Sequence, residues 1–244
     1  PSIPVVKYPA HRLAAAALTL TFITLGCSPQ QQESPIIELF DGESLDGWVN
    51  HGGGNFYVKD GAIVGEATTG LPNSFLRTEQ TYDNFELTLE MRIDPLLNSG
   101  IQIRSNIYSE PTTTMRWGGQ LNEDGTKAGL QERTWEAGRF WGYQVEIDPT
   151  SRGWSGALYE EGARGFLHPP GNHEEALKLN AWNTYRIIAN GDHFQTWING
   201  VPIADVHDDA TASGYIALQL HGIGQNKEKI GQTVRIRNVQ LKQL

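Results

Sequence analysis

The sequence has a single cysteine, two methionines and few basic side chains. Its 244 residues include 19 Lys and Arg against 28 Asp and Glu, which gives a net charge of −9. One cysteine cannot form a disulfide within the chain, so the folded state depends on its core. Because the basic residues are few and scattered, we expect no nucleic-acid partner.

Helical periodicity and compact metal motifs are also scarce. Only HEEALKL at 173–179 has the spacing of a helical turn, and the sequence contains no HExxH, cysteine cluster or EF-hand loop. Instead, 27 glycines interrupt short runs in which apolar and polar residues alternate. This pattern is typical of antiparallel strands joined by tight turns, and it predicts an all-β protein.

The first residues have the composition of an export signal. Basic residues precede an uncharged apolar run over 13–26, and the only cysteine, Cys27, follows it. Because Leu25-Gly26-Cys27 resembles a bacterial lipobox, we predict a lipoprotein signal peptide over 1–27 with lipidation at Cys27. The alternative is an ordinary signal peptide with an incidental cysteine.

Residues 28–35, SPQQQESP, are too poor in apolar side chains to fold, and they are interpreted as a tether. The folded domain is therefore predicted over 36–244. A lipidated Cys27 would make the protein an exported, membrane-anchored lipoprotein facing the periplasm or the cell surface. The neutral Ser28 after it favours the outer membrane.

About a dozen strands are expected in the folded part, without the strand–helix alternation of a parallel sheet. Among the longer ones are 83–94 and 99–108, and Asn199-Gly200 is a typical hairpin turn. Two packed antiparallel sheets fit this pattern best. Residues 109–141 form a long Gly- and Thr-rich excursion, and loops of that length in a compact domain are often functional.

The segment GYQVEID, 142–148, raises the first functional question. Alternate side chains of a strand point to opposite faces, so Gln144, Glu146 and Asp148 are expected to share one face. Two acids about 7 Å apart along a strand repel each other unless something occupies the space before them. This face is therefore predicted to hold a ligand.

Other strands carry a similar polar face. Alternation places Gln102 and Arg104 opposite Ile101 and Ile103, and it places Gln219 with His221 on one face of a later strand. Planar amide, guanidinium and imidazole groups, with aromatic rings, are the groups that bind sugar hydroxyls and sugar faces. The pattern therefore indicates a sugar-binding face rather than a solvated one.

Several motifs together resemble the 3-keto-disaccharide hydrolase family across 38–244. The motifs are LFDGESLDGW (39–48), NSGIQIR (98–104), GYQVEID (142–148), WSGALYEEG (154–162), RGFL (164–167), WNTYR (182–186), WING (197–200) and LQLHG (218–222). The resemblance implies a concanavalin A-like jelly roll of two curved antiparallel sheets with a cleft on its concave face. It also implies an exported enzyme whose sugar substrate a partner dehydrogenase has already oxidised at C3.

The resemblance assigns the following roles. Glu146 and His221 would be base or acid, and Asp148 would orient a partner. Substrate contacts would come from Gln102, Arg104, Arg139, Gln144, Trp154, Tyr159, Arg164 and Gln219. A divalent metal ion held by Glu146, Asp148 or His221 is left open, because carboxylate and imidazole suit several metals.

Three alternatives remain at this point. A β-glucanase of the same fold would carry Glu-x-Asp-x-x-Glu, but Ser151 stands where the third acid belongs. Glu146 and Asp148 could instead be a structural pair neutralised by Arg104 or Arg139. The domain could also be a lectin-like module that binds carbohydrate without turnover, since the same aromatic and polar face would serve it.

Overall fold

The computed structural model describes residues 34–244. These residues form one compact unit, Ser34–Leu244. The predicted signal peptide over 1–27, its Cys27, and tether residues 28–33 lie outside the described residues. Within the described part, no helix combines the length and the apolar character that a membrane span requires.

Seventeen strands and one short 3-10 helix make up the described chain. The strands are β1 (Ile36–Glu38), β2 (Trp48–His51), β3 (Asn55–Lys59), β4 (Ala62–Glu66), β5 (Ser74–Tyr82), β6 (Phe85–Ile93), β7 (Ser99–Ile107), β8 (Thr112–Arg116), β9 (Gln131–Trp135), β10 (Phe140–Ile147), β11 (Leu158–Glu161), β12 (Gly165–Phe166), β13 (Asn183–Asn190), β14 (His193–Ile198), β15 (Val201–His207), β16 (Gly214–Leu220) and β17 (Thr233–Gln243). The 3-10 helix is Lys227–Lys229.

Two large antiparallel sheets contain fifteen of these strands. One sheet has the order β15-β14-β13-β6-β17-β4-β3, with β1 also paired to β17, and the other has the order β12-β11-β10-β7-β16-β5-β2. The prediction of an all-β protein with two antiparallel sheets is confirmed. The chain moves repeatedly between the sheets, so that β7, β10 and β16 become neighbours although they are far apart in sequence.

The core lies between the two sheets and follows the alternation of the sequence. In β6, FELTLEMRI, every second residue is buried and the residues between are partly exposed. By contrast, residues 99–105 of β7 are all buried. One face of β7 contributes Ile101 and Ile103 to the core, so its other face must be covered by something else. That covered face is the floor of the cleft described below.

Two segments differ from the sequence-based expectation. The excursion 109–141 contains a separate two-stranded sheet, β8–β9. HEEALKL at 173–179 forms turns rather than a helix. The Asn183 side chain bonds both the N–H of Lys178, at 2.7 Å, and its C=O, at 2.9 Å. These are the groups that a helical turn would have used, and so short a helix gains little by itself.

Candidate active site

A cleft of about 360 Å³ opens on the face of the seven-stranded sheet that points away from the core. Three glutamines from β7, β10 and β16 lie at its base, each at most 2 % exposed. Gln144 and Gln219 line the cleft, and Gln102 is buried beside Gln144. The Gln144 Oε1 accepts hydrogen bonds from the side-chain amides of Gln102 and Gln219, the latter at 2.9 Å. The sequence-based prediction that these amides share a face agrees with this arrangement.

Gly100 provides the space in which the Gln144 side chain lies. A Cβ at position 100 would sit 2.3 Å from the Gln144 Cδ, far inside van der Waals contact. Gly100 faces Glu146 across β7 and β10, so the missing side chain lets Gln144 turn back over the glycine. The Gln144 Nε2 then donates to the Glu146 Oε2 at 2.8 Å.

We expect Gly100→Ala to displace Gln144 and to lower the free energy of unfolding by about 1–3 kcal/mol through overpacking. Loss of the Gln144 donor should also raise the pKa of Glu146, because that hydrogen bond favours the carboxylate. Denaturant melts and a ¹³C titration of Glu146 would measure both effects. Gly118→Ala is the matched control, since Gly118 also lines the cleft and an added Cβ there has no neighbour within 4 Å. Equal effects of the two substitutions would contradict the role of Gly100.

Glu146 is 8 % exposed and lines the cleft. Asn98 donates to its Oε1 at 2.8 Å, and Gln144 donates to its Oε2. Burial raises the pKa of Glu146 to about 7, and the two hydrogen bonds oppose that shift without cancelling it. Near neutral pH this carboxyl therefore exists in both protonated and ionised forms, as an acid–base catalyst requires.

His221 lies in the same cleft just beyond the end of β16. Its Nδ1 is 2.8 Å from the carbonyl oxygen of Gly222. A carbonyl only accepts, so Nδ1 carries the proton and Nε2 of the neutral ring keeps its lone pair. Burial lowers the pKa of His221, despite the raising effect of the Gly222 hydrogen bond and of Glu161. The ring is thus a neutral base at physiological pH.

The wall of the cleft combines a phenol, a guanidinium and aromatic rings. The Tyr159 Oη accepts from Arg116 Nε at 3.2 Å and from Nη2 at 2.9 Å. Burial raises the pKa of Tyr159, so its hydroxyl remains protonated and able to donate. Trp154 and Tyr159 each pack edge-on against Phe166, at centroid distances of 5.2 and 5.0 Å. The wall therefore offers a polar donor beside apolar ring surface.

A second carboxylate, Glu161, also lines the cleft. It accepts a hydrogen bond from Asn73 Nδ2 at 3.2 Å and forms an ion pair with Arg139. Arg139 therefore contacts the cleft through Glu161, and it is not one of the lining residues. This pairing holds Glu161 in place and leaves Glu146 as the cleft carboxylate without a cationic partner among the described residues.

Arg104 differs most from the sequence-based expectation. Its φ of +46° interrupts the strand alternation, so the side chain does not follow Gln102 to the cleft. The guanidinium instead donates to the carbonyl of Gly191 at 2.6 Å and to the Asn84 Oδ1 at 3.0 Å, and it lies 5.1 Å from the Phe194 ring centroid. The prediction that Arg104 contacts substrate is not supported by this geometry, because the residue ties loops together away from the site.

Asp148 and Arg164 also lie outside the lining of the cleft. β10 ends at Ile147, and Asp148 accepts from the Thr150 N–H at 3.0 Å and pairs with Arg152 at 2.7 Å. The alternation stops there because Pro149 cannot continue the ladder. Arg164 bridges two other acids of the fold, Glu160 and Asp208. An ion-paired structural role therefore fits Asp148, but its partner is Arg152 rather than the expected Arg104 or Arg139. The same role does not fit Glu146.

The four tryptophans between residues 117 and 154 have separate positions. Trp154 lines the cleft. Trp117 is buried and donates its ring N–H to the carbonyl of Gln120, Trp135 donates to Thr114, and Trp141 stacks on Tyr108. Of the four, Trp154 alone is placed to stack against a ligand in this cleft.

The three candidate metal ligands, Glu146, Asp148 and His221, do not come together as one group in the described structure. Both oxygens of Glu146 already accept amide N–H groups, and Asp148 lies elsewhere. Across 34–244, one group of three His, Cys, Asp or Glu side chains brings its ligand atoms within 4.8 Å of one another. That group does not include Glu146, Asp148 or His221.

Sequence reasoning missed several residues of the cleft. Asn98 is the first residue of the NSGIQIR motif, so the motif itself could have identified it as a candidate site residue. Arg116 and Gly118 belong to the long excursion, whose length alone marked it as functional. Glu161 was not separated from its solvated neighbours, because strand alternation does not show which face is later covered.

Comparison with known proteins agrees with this description. The family model of the 3-keto-alpha-glucoside-1,2-lyase-like domain matches residues 35–242. A search of curated proteins found no match. A Bacillus subtilis protein of unknown function with a galectin-like fold has a TM-score of 0.56 at 13% identity, over 86% of this chain and 94% of that chain. Carbohydrate-binding module CBM66 from Bacillus subtilis gives 0.52 at 14% identity, over 80% and 95%. A native glycosidic hydrolase gives 0.50 at 9% identity, over 86% and 95%. The predicted concanavalin A-like sandwich is confirmed at the level of fold.

Proposed function

This chain belongs to the 3-keto-alpha-glucoside-1,2-lyase-like domain family, and from that premise we propose that it cleaves 3-keto-glycosides by elimination followed by hydration. Family and fold support a carbohydrate-related function. The observation that carries the finer proposal is the pair Glu146 and His221 in one cleft. Their pKa values are shifted in opposite directions, toward the acid form of one and the base form of the other.

The chemistry of the proposed substrate explains why a carboxyl and an imidazole, which are weak bases, suffice for the reaction. A ketone at C3 acidifies the proton on C2, so that a carboxylate or an imidazole can remove it. The electron pair of the C2–H bond forms the enolate, which then collapses to a C1–C2 double bond and expels the oxygen at C1. Water adds to C1 of the resulting enone and a proton returns to C2, so the net change is hydrolysis.

We assign His221 as the base and Glu146 as the acid. The free Nε2 lone pair of His221 takes the C2 proton, while the protonated fraction of Glu146 gives its proton to the leaving oxygen. In the hydration step the roles reverse: Glu146 removes a proton from water and His221 returns one to C2. Both groups end in their starting states, so the proton balance closes.

The remaining donors of the cleft suit an enolate and sugar hydroxyls. Tyr159 accepts from Arg116 through its lone pairs and keeps its own O–H for a substrate oxygen. We assign that O–H to the enolate oxygen, where charge develops. Trp154, which lines the cleft, would cover the apolar face of the sugar ring.

The proposal is tested by incubating purified protein with a 3-keto-glucoside and with the matching unoxidised glucoside. We expect release of the aglycone from the first and none from the second, because only the ketone acidifies C2. Cleavage of both at similar rates would indicate a conventional glycosidase. Tight binding of unmodified oligosaccharide without release from either would indicate the lectin-like alternative.

We also propose that the protein acts as a lipoprotein of the outer membrane, near a dehydrogenase that supplies the 3-keto sugar. The proposal rests on the lipobox-like Leu25-Gly26-Cys27 and the neutral Ser28. Cys27→Ser, expressed with the native signal, should move the protein from the membrane pellet to the soluble fraction while the specific activity stays the same. A variant that still sediments with membranes would show that lipidation is not the anchor.

A further inference from the structure

Two imidazoles and a carboxylate meet at the outer edge of the eight-stranded sheet, outside the cleft. His193 begins β14, and Asp205 and His207 lie at the end of β15. Their ligand atoms all lie within 4.8 Å of one another. The His193 Nε2 is 2.7 Å from the Asp205 Oδ1, and the two imidazole rings are parallel with centroids 4.3 Å apart. The reaction proposed above uses none of these groups.

A β-bulge brings the two histidines face to face. Trp197 pairs with Pro202 beside the Asn199-Gly200 turn, and continuing that register would place Val206 opposite His193. The register instead shifts by one residue between Trp197 and Thr196, so that His193 pairs with His207. Bulges of this kind re-aim side chains and are often associated with functional sites.

The bulge is held by a buried hydroxyl. The Thr196 Oγ1 accepts the N–H of Ala204 at 3.1 Å and donates to the carbonyl of Gly156 at 2.7 Å. These bonds hold β15 at Ala204, the residue directly after the bulge. They therefore support the register that places His207 opposite His193.

A second layer of polar groups surrounds the three side chains. The Asp192 Oδ1 lies 3.2 Å from the His207 Nδ1, and Gln195 donates to the Asp205 Oδ2 at 2.8 Å. A carboxylate behind an imidazole, and a donor behind a carboxylate, are the outer contacts that orient ligands in metal sites.

We propose that His193, Asp205 and His207 form a binding site for a divalent transition-metal ion of the zinc type. Two imidazoles and one carboxylate favour zinc over calcium or magnesium, which prefer oxygen ligands alone. The ion takes the place of the proton between His193 and Asp205, and that proton moves through solvent to the other ring nitrogen, so the His193 ring stays neutral. The imidazole rings rotate out of their parallel stack to converge on it, which the 62% exposed His207 side chain is free to do. Water completes the coordination, and the ion clamps the open ends of β14 and β15.

Equilibrium dialysis with zinc chloride tests the site on full-length protein carrying Cys27→Ser, which removes the only thiol. We expect one zinc ion per chain. His193→Ala and His207→Ala should each abolish that binding, and Asp192→Ala should weaken it about 10–100-fold, as loss of an outer-shell contact does. His173→Ala is the matched control, since His173 lies outside the group and its loss should leave zinc binding unchanged.

Thermal melts show whether a variant fails to bind zinc because a ligand is missing or because the protein is misfolded. Zinc should raise the melting temperature of the parent protein and leave that of His193→Ala unchanged, because an ion stabilises only the fold that binds it. Without zinc the two proteins should melt together. Absence of zinc binding by the parent, binding by either single-histidine variant that equals the parent's, or loss of binding in His173→Ala would each overturn the proposal.

Discussion

Replacing Glu146 with glutamine is expected to reduce cleavage of a 3-keto-glucoside by about 10²- to 10⁴-fold, the range found for loss of a general acid or base. Glutamine keeps the shape of the side chain and can still pair with one of its two neighbours, Asn98 or Gln144. It has no proton to give the leaving oxygen. Steady-state kinetics should therefore show the loss in kcat, with a smaller change in KM.

The same substitution is expected to increase stability at alkaline pH. Burial raises the pKa of Glu146 from its ordinary value of 4.5 to about 7, which corresponds to about 3 kcal/mol of free energy of unfolding. This group binds its proton more tightly in the folded state, so its contribution to stability is fully present below pH 4.5 and is lost as the pH rises to about 7. Glu146→Gln avoids that loss, but the NH₂ group of the new side chain then faces the amide donor of Asn98 or Gln144, which opposes part of the gain. We therefore expect the free energy of unfolding to rise by about 1–3 kcal/mol at pH 8.

Urea melts at pH 5 and pH 8 measure the effect, and the difference between variant and parent should grow with pH. Glu90→Gln is the matched control: it is the same chemical change on β6 of the other sheet, where Glu90 pairs with Arg237. It should leave cleavage unchanged and show no such growth with pH. A Glu146→Gln protein with parental activity would contradict the assignment of the acid.

Replacing His221 with glutamine should reduce kcat/KM by a similar factor, because glutamine cannot remove the C2 proton. The pH profile distinguishes this loss from a structural one. The parent should be active where His221 is neutral and Glu146 is protonated, so activity falls on the acid side below the ordinary imidazole range and on the alkaline side above about 7.

Each variant should remove one limb of that bell-shaped profile. The residual activity of His221→Gln should lose the acid limb and keep the alkaline one, and Glu146→Gln should do the reverse. If both limbs persist in His221→Gln, the imidazole is not the base and another group of the cleft performs that step.

Strand alternation places Gln102, Gln144 and Gln219 on the polar faces of β7, β10 and β16. The hydrogen bonds that join the three side chains agree with that placement. The same rule failed at Arg104, where a positive φ turns the side chain away. It also ended at Asp148, one residue beyond β10.

The residues that the sequence did not reveal are those fixed by long-range packing. Arg116 reaches Tyr159 only because the β8–β9 hairpin folds back near β11, and nothing in its own segment shows that contact. The pairing of His193 with His207 depends on a bulge, which shifts the register by one residue without a clear local signal. Alternation therefore gives the face of a side chain, while partners and burial require the fold.

Deuterium incorporation at C2 tests the central claim most directly. The protein is mixed in D₂O with a 3-keto-glucoside carrying protium at C2, and the first product formed is analysed by mass spectrometry and NMR. A sample of the product kept in D₂O for the same time corrects for spontaneous exchange. Elimination and hydration, with the proton on His221 exchanging with solvent between the two steps, predict a product with one deuterium at C2, formed at the rate of aglycone release. Aglycone release with C2 still carrying its original proton would contradict the account, because the bond to C1 would then have been hydrolysed without removal of the C2 proton.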